Sequence, residues 1–236
     1  MKIAAVCCTY LRPSALGELV RCFERQDYPQ RELIILDDAG QYENGEGEGW
    51  RLVSVGERFA TLGEKRNAAA ALVSPNVEAL AVWDDDDLYL PWALSASVAA
   101  LRRAPWSRPS LVLHPTPDGN LRQHRTGGLF QGGWAYRRAV FQHSGGYAPL
   151  NNGEDREFAS RLARAHVGRA DPIRLGFRPF YVYCWGGGWH LSNLGPRGYQ
   201  RLGVLRGGKS PLVPADPPGI DLGNPRILPE VYPRAF

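Results

Sequence analysis

Long hydrophobic runs are missing from this chain of 236 residues. Its longest uncharged apolar runs extend over about six to eight residues, whereas a helix needs about 20 to cross a membrane. The apolar run at residues 3–8 is also too short for a secretory signal peptide, and Arg12 and Pro13 follow it closely. We therefore expect no membrane insertion.

Cysteine is scarce as well. Cys7, Cys8, Cys22 and Cys184 show none of the spacings typical of metal ligands or disulfide frameworks, so we expect reduced thiols in a cytoplasmic protein. Hydrophobic residues make up 44% of the chain and charged residues 22%, a balance that excludes general disorder. The length predicts one domain with a small addition.

The net charge of +4 conceals two halves of opposite sign. Residues 1–101 hold 9 basic and 16 acidic side chains, and residues 102–236 hold 19 basic and 8 acidic ones. Solvated faces of opposite sign are the commoner explanation. The functional explanation is a metal-binding first half and a second half that binds an anion. Arginine supplies 25 of the 28 basic residues, which suits phosphate recognition, although the composition of the source genome gives the same bias.

Strands and helices alternate along the first half. Apolar runs predict buried strands over residues 2–8, 32–37, 52–55 and 80–83. Apolar periodicity predicts helices over residues 13–26 and 63–73 and from Pro91 onward, with a glycine- and glutamate-rich loop over 41–49. This order predicts an α/β fold with a mainly parallel sheet and helices on both faces.

Ligands of such a sheet bind outside the carboxyl ends of its strands. Polar residues follow three of the predicted strands, namely Thr9 and Tyr10, then Asp37 and Asp38, then Asp84–Asp87. Four aspartates after an apolar strand are costly unless a cation neutralises them. Alternate aspartates project to one side of an extended chain, so a metal ion that holds a diphosphate is the prediction. A solvated acidic turn before the next helix is the alternative.

The pattern loosens beyond residue 105. A strand is predicted over residues 111–114, a strand and loop over 127–136, and a helix over 154–165. Residues 207–236 contain seven prolines and predict an irregular, extended tail packed on the body.

Five segments between residues 9 and 165 carry a family resemblance. They read TYLRP at 9–13, LIILDD at 33–38, GEKRNAA at 63–69, DDDDLYLP at 84–91 and GEDREF at 153–158. In order and spacing they resemble the T-x-N-R-P, D-D, G-x-x-x-A-R-N, D-x-D-D-x-x-x-P and E-D motifs of the GT-A glycosyltransferases of family 2. Leu11 stands where that family usually has asparagine.

The resemblance implies a GT-A fold and the inverting transfer of a sugar from a nucleoside diphosphate sugar to a hydroxyl group. It implies one catalytic domain over residues 1–206, with a nucleotide- and metal-binding half at 1–101 and an acceptor half at 102–206. Asp155 would be the general base, with Glu154 beside it. Favourable helix N-terminal chemistry is the alternative reading of these two acids.

The resemblance also implies a site for Mn²⁺ or Mg²⁺. Asp86 would be the first metal ligand, with Asp84 and Asp87 in support. His190 is the predicted third ligand, although a lone histidine is more often a packed or surface residue.

A uridine diphosphate sugar is the predicted donor. Asp38 would accept the imino hydrogen of the uracil, unless it is a turn residue. Thr9 and Tyr10 would line the base pocket. The other residues expected on the nucleotide side are Arg12, Arg66, Asp84 and Asp85.

The acceptor is predicted from the second half. Trp134 lies in a Gly-Gly-Trp segment that resembles the one before the family's acceptor site, where an aromatic ring stacks on a sugar. Core packing is the equal alternative. We expect a soluble saccharide or an anionic polymer as acceptor, with a hydroxylated base in modified DNA as a minority option.

Two other functions remain open from the sequence. A nucleotidyltransferase also places a nucleotide beside metal-bound acids, but residues 9–14 contain no glycine for a phosphate-binding loop. A non-catalytic protein on a degenerate transferase fold would bind a polyanion through its basic half. The acidic residues at 84–87 and 154–155 argue against it.

Overall fold

The computed structural model describes residues 1–116, 118–184 and 220–229. Their strands, in chain order, are β1 (Ile3–Thr9), β2 (Arg31–Asp37), β3 (Gly45–Gly47), β4 (Trp50–Ser54), β5 (Ala79–Val82), β6 (Leu88–Tyr89), β7 (Trp106–Ser107), β8 (Leu111–Pro115), β9 (Leu121–Arg125), β10 (Ala135–Arg137), β11 (Arg169–Ala170), β12 (Tyr181–Val182) and β13 (Ile227–Leu228). Their helices are α1 (Pro13–Glu24), α2 (Leu62–Ala71), α3 (Ala93–Leu101), α4 (Arg138–His143) and α5 (Glu154–Arg164), with a 3₁₀ turn at Gln131–Gly133.

The strands form two sheets. The larger has the order β11-β7-β10-β5-β1-β2-β4-β3, and the smaller has the order β13-β9-β8-β12-β6. Strands β5, β1, β2 and β4 run parallel, and β10 is antiparallel to both β5 and β7. The predicted mixed, mainly parallel sheet is therefore confirmed. The register opposes Thr9 to Asp37, so β1 and β2 end at the same edge.

Helices cover both faces of the larger sheet because its residues point alternately to two cores. From β1, Ile3 packs into the core that holds Leu19 of α1 and Leu94 of α3. Its neighbour Ala4 packs into the core that holds Phe141 of α4 and Phe158 of α5. This alternation confirms the predicted arrangement of helices.

Several local predictions need correction. The predicted loop at 41–49 contains β3, which pairs antiparallel with β4. Helix α3 begins at Ala93 rather than Pro91, and the side chain of Gln26 accepts a hydrogen bond from the Leu94 N–H at 3.0 Å. Helix α2 begins at Leu62, because Thr61 and Glu64 form a reciprocal capping box that ties down its first turn.

The tail, expected to be irregular, contributes a strand in its described part. Strand β13 runs parallel to β9, and Leu222 is buried with the core beneath α1 and α3. The smaller sheet, β9 and α4 were not predicted. No helix among residues 1–116, 118–184 and 220–229 has both the length and the apolar composition needed to cross a membrane.

Candidate active site

The carboxyl ends of β1, β2 and β5 open into a cleft of about 1240 Å³. The predicted residues that line it are Tyr10, Arg12, Asp38, Arg66, Asp84, Asp85, Asp86, Asp87, Trp134, Glu154 and Asp155. Residues from six segments of the sequence thus meet at one edge of the sheet. This is where ligands bind in open α/β sheets.

Arg12 neutralises the middle of the acidic strand end. Its Nη1 lies 2.7 Å from Asp85 Oδ1 and 2.8 Å from Asp86 Oδ2. Burial raises the pKa of Asp85, and the Arg12 charge opposes that effect. The residue before Arg12, Leu11, has a φ of 54°, the left-handed region that asparagine tolerates better than leucine. In this chain, the position that corresponds to the motif's asparagine thus adopts a left-handed conformation.

Arg66 joins the acidic strand end to the start of α5. Its Nη2 lies 3.1 Å from Asp84 Oδ1, and its Nε lies 3.3 Å from Glu154 Oε1. Glu154 is buried with 4% of its surface exposed. Burial raises the pKa of its carboxyl group, and Arg66 opposes the rise. Glu154 is thus fixed in place as the partner of a buried cation.

Asp87 has a different environment from the other three aspartates. Its carboxylate accepts hydrogen bonds from the Tyr181 hydroxyl and, at 2.9 Å, from the Cys184 N–H. It is 3% exposed. These contacts tie the end of β5 to β12, so its supporting role is structural in this geometry.

Asp38 is held by protein partners on both oxygens. The Lys65 ammonium donates to Oδ1, and the Phe59 N–H donates to Oδ2 at 3.3 Å. Arg58 lies 3.8 Å from Oδ2 and stacks its guanidinium 3.7 Å above the Tyr10 ring. A uracil read by Asp38 would have to displace one of these contacts.

Lys65 and Arg58 are functional candidates that the sequence analysis missed. Lys65 is 5% exposed although it lies in an alanine-rich helix, and it also donates to the carbonyl of Thr9. Thr9 itself is 1% exposed and lies behind the cleft wall, where it supports Lys65 instead of facing a base. The Thr61–Glu64 capping box predicts where α2 begins, but it does not show which of its side chains are buried.

Asp155 stands in the first turn of α5, at the mouth of the cleft. Its Oδ1 accepts a hydrogen bond from the Arg156 N–H at 2.7 Å, and within the described part of the chain it forms no ion pair. The helix dipole stabilises a negative charge at this position. Gly153, with a φ of 78°, supplies the left-handed turn into the helix. Asp155 is therefore an ionisable oxygen base left open to the cleft.

Trp134 lines the cleft but is 2% exposed. Its ring packs edge-on against Trp106, with centroids 5.5 Å apart, and the Arg108 guanidinium lies 5.2 Å from its centroid. This geometry favours the core-packing alternative over a free stacking face.

The cleft offers oxygen donors for a divalent cation. Asp84 and Asp86 present carboxylates, the donor type that Mn²⁺ and Mg²⁺ prefer, and their chemistry fits such an ion. Among the described residues there is no group of three or more histidine, cysteine or acidic side chains suited to hold a metal. His190 lies outside those residues. The remaining positions around the ion would therefore go to substrate oxygens, water or that histidine.

Comparison with known proteins identifies the fold. No family model and no curated protein sequence matches the chain. Among solved structures, it is similar to S. aureus TarS 1–349 in complex with UDP-GlcNAc, with a TM-score of 0.59 and 16% identity over 86% of this chain and 65% of that one. It is also similar to the mannosyltransferase PcManGT from Pyrobaculum calidifontis in complex with GDP-Man and Mn²⁺, with a TM-score of 0.59 and 18% identity over 89% of this chain and 66% of that one.

The chain spans 60% of the length of TarS 1–349 in the first of the TarS structures it matches. At these identities the similarity establishes the fold. The predicted GT-A-like fold, shared with glycosyltransferases, is thereby confirmed.

Proposed function

We propose that this chain is a glycosyltransferase that moves a sugar from a nucleoside diphosphate sugar to an acceptor hydroxyl with inversion at the anomeric carbon. The observation that carries the proposal is the position of Asp155. It lines the same cleft as Asp84 and Asp86 yet forms no ion pair within the described part of the chain. The nucleotide-sugar complexes of the structurally similar enzymes support the same reaction class.

Asp155 would act as the general base. The acceptor oxygen attacks the anomeric carbon, its proton passes to an Asp155 carboxylate oxygen, and the nucleoside diphosphate leaves. Arg66 holds Glu154 and Asp84 in place beside this reaction centre. A divalent cation bound at Asp84 and Asp86 would supply stabilisation of the negative charge on the leaving diphosphate.

We propose uridine diphosphate as the nucleotide carrier, in a base pocket beside Asp38 and Tyr10. The contacts that Lys65 and Phe59 make with Asp38 must then rearrange or share the carboxylate. A base-edge hydrogen bond discriminates strongly because the wrong base leaves a buried polar group unpaired. The acceptor is a saccharide or an anionic polymer that enters from the side formed by the described residues of the second half, up to residue 184.

The test is a turnover assay with uridine and guanosine diphosphate sugars, manganese and a panel of saccharide acceptors. We expect acceptor-dependent release of uridine diphosphate and a product whose anomeric configuration, read by NMR, is opposite to the donor's. Retention of configuration would refute the role of Asp155 as base. Nucleotide binding without any release would favour a non-catalytic binding protein.

A further inference from the structure

A second cleft adjoins the candidate active site. It encloses about 660 Å³ and is lined by the basic side chains of Arg108, Arg125, Arg169 and Arg174. Arg108 and Gly128 line both this cleft and the larger one that contains Asp155. The arginine cleft, as we call it, therefore opens off the side of the site where an acceptor would lie.

The sheet fixes two of these arginines. Strand β11 pairs with β7 so that Arg169 is opposite Trp106, and the Arg108 N–H donates to the Ala170 carbonyl at 3.0 Å. The guanidinium carbons of Arg108 and Arg169 lie 5.6 and 5.8 Å from the centroid of the Trp106 ring. Strand backbone and a buried tryptophan thus hold both cations in position, which lowers the entropy lost when they bind a ligand.

Their charge is not compensated within the described part of the chain, where neither Arg108 nor Arg169 forms an ion pair. Burial lowers the pKa of Arg108, and repulsion from Arg169 lowers it further. Asp171 is the acid that lines the arginine cleft, but its Oδ1 accepts from the Ser110 and Ile173 N–H groups at 3.1 and 3.0 Å. Its Oδ2 lies 3.7 Å from Arg174 Nε.

The junction between the clefts leaves room for the Arg108 guanidinium. Gly128 has a φ of 89°, and a Cβ atom at this position would lie 1.8 Å from Arg108 Nη2. A side chain here would therefore push the guanidinium away from the point where the two clefts meet.

We infer that the arginine cleft binds a phosphate or sulfate group carried by the acceptor. Two preorganised guanidinium groups with no carboxylate partner among the residues that the structure describes suit a tetrahedral oxyanion, which arginine binds through paired hydrogen bonds. Because Arg108 borders both clefts, the oxyanion would hold the acceptor with its hydroxyl in the larger cleft. The anion site is argued from the arginines alone, whereas its assignment to the acceptor rests on the proposed function.

Binding of inorganic phosphate at low ionic strength, in the presence of excess uridine diphosphate, tests the anion site. We expect the double substitution Arg108→Gln and Arg169→Gln to weaken phosphate binding by about tenfold or more, since it removes two charge-assisted contacts. Arg103→Gln is the matched control because Arg103 is exposed and lines neither cleft. An unchanged phosphate affinity in the double variant would overturn the inference.

Arg169→Gln alone keeps the test decisive if the double variant does not fold, because Arg169 is exposed. We expect it to weaken phosphate binding several-fold, and Arg169→Lys to restore part of the loss. Equal affinity in Arg169→Gln and the control would overturn the inference as well.

Glucose 6-phosphate separates an acceptor-borne anion from a free ion. We expect it to bind more tightly than inorganic phosphate, because its ring can occupy the larger cleft. Equal affinities would refute the acceptor assignment. Phosphate binding that depends on Arg169 without any binding of uridine diphosphate would refute the proposed function and leave the anion site standing. Binding of uridine diphosphate without phosphate binding that depends on Arg169 would refute the anion site and leave the proposed function standing.

Discussion

The two clefts differ in how their charged side chains are paired. In the larger one, Arg12 pairs with Asp85 and Asp86, Arg66 with Asp84 and Glu154, and Lys65 with Asp38. In the arginine cleft, Arg108 and Arg169 rest on Trp106 and form no ion pair within the described part of the chain. The comparison shows that an acid-rich sequence does not by itself make an open cation site. A cation added to the larger cleft competes with arginines already present. An anion added to the arginine cleft meets Arg108 and Arg169, which have no carboxylate partner among the described residues.

Asp155 lines the larger cleft without an ion pair among the described residues, and as the proposed general base its removal has the largest expected effect. Asp155→Asn keeps the shape of the side chain but removes the proton acceptor. We expect turnover to fall by at least about a hundredfold while donor affinity changes little. Steady-state kinetics with a separate binding titration measures both. Glu157→Gln, two residues further along the first turn of the same helix, is the control, and near-normal turnover in Asp155→Asn would refute the assignment.

The next effect concerns the divalent cation. Asp86→Ala removes a carboxylate that would hold the ion and leaves Arg12 paired with Asp85. We expect the manganese-dependent part of diphosphate binding to weaken by about tenfold or more, by loss of one charged ligand. Asp118→Asn, at an exposed turn outside both clefts, is the control. Full activity in excess chelator would contradict a metal role.

Arg12→Gln tests whether Arg12 compensates the negative charge of the carboxylates in the larger cleft. Arg12→Gln removes the cation that lies 2.7 Å from Asp85 and 2.8 Å from Asp86. Without nucleotide, we expect manganese to bind the variant about tenfold more tightly, because two carboxylates lose their competing partner. Calorimetric titration measures this change. Weaker or equal manganese affinity would show that Arg12 does not compete with the cation.

A smaller effect is expected on stability. Leu11→Asn places a residue that tolerates left-handed backbone at the φ of 54°. We expect the free energy of unfolding to rise by about 1 kcal/mol, measured by urea denaturation. Leu175→Asn, at an exposed leucine without positive φ, is the control and should show no gain. A loss of stability in Leu11→Asn would mean that the leucine side chain contributes more than the backbone costs.

The smallest expected effect depends on pH. The pKa of Glu154 is raised above its ordinary value of 4.5, so its ionised form lowers stability and the protonated form does not. The protonated Glu154 side chain contributes to the free energy of unfolding. This contribution is fully present below pH 4.5 and is lost as pH rises through the raised pKa. Glu154→Gln should therefore be more stable than the unsubstituted protein at pH 7, and the difference should vanish below pH 4.5. A difference that grows in acid would reverse the sign we assign.

The sequence predicted the parts of the fold that local patterns encode. Apolar runs located β1, β2 and β5, and the strand-end rule anticipated that Asp38 and Asp84 would border one cleft. Asp155, at the start of α5, was expected there only through the family resemblance. Leu11 shows where local reasoning stopped. Its departure from the motif was visible in the sequence, but its left-handed backbone was not.

The remaining features depend on contacts between distant segments. Strands β6, β8, β9, β12 and β13 are short, and their pairing joins residues up to about a hundred positions apart, so periodicity could not reveal the smaller sheet. Lys65 was missed because burial of a lysine depends on a carboxylate from another element. Arg108 and Arg169 were visible as excess charge in the second half, but their convergence on Trp106 required the β7–β11 pairing.

Titration with uridine diphosphate in the presence of manganese measures whether the larger cleft holds a nucleotide. We expect binding at a single site, tighter than that of guanosine diphosphate and weakened by chelator, with a rise in thermal stability as the ligand saturates the native state. If neither uridine diphosphate nor guanosine diphosphate gives a heat of binding or raises the thermal stability, nucleotide binding in this cleft is contradicted.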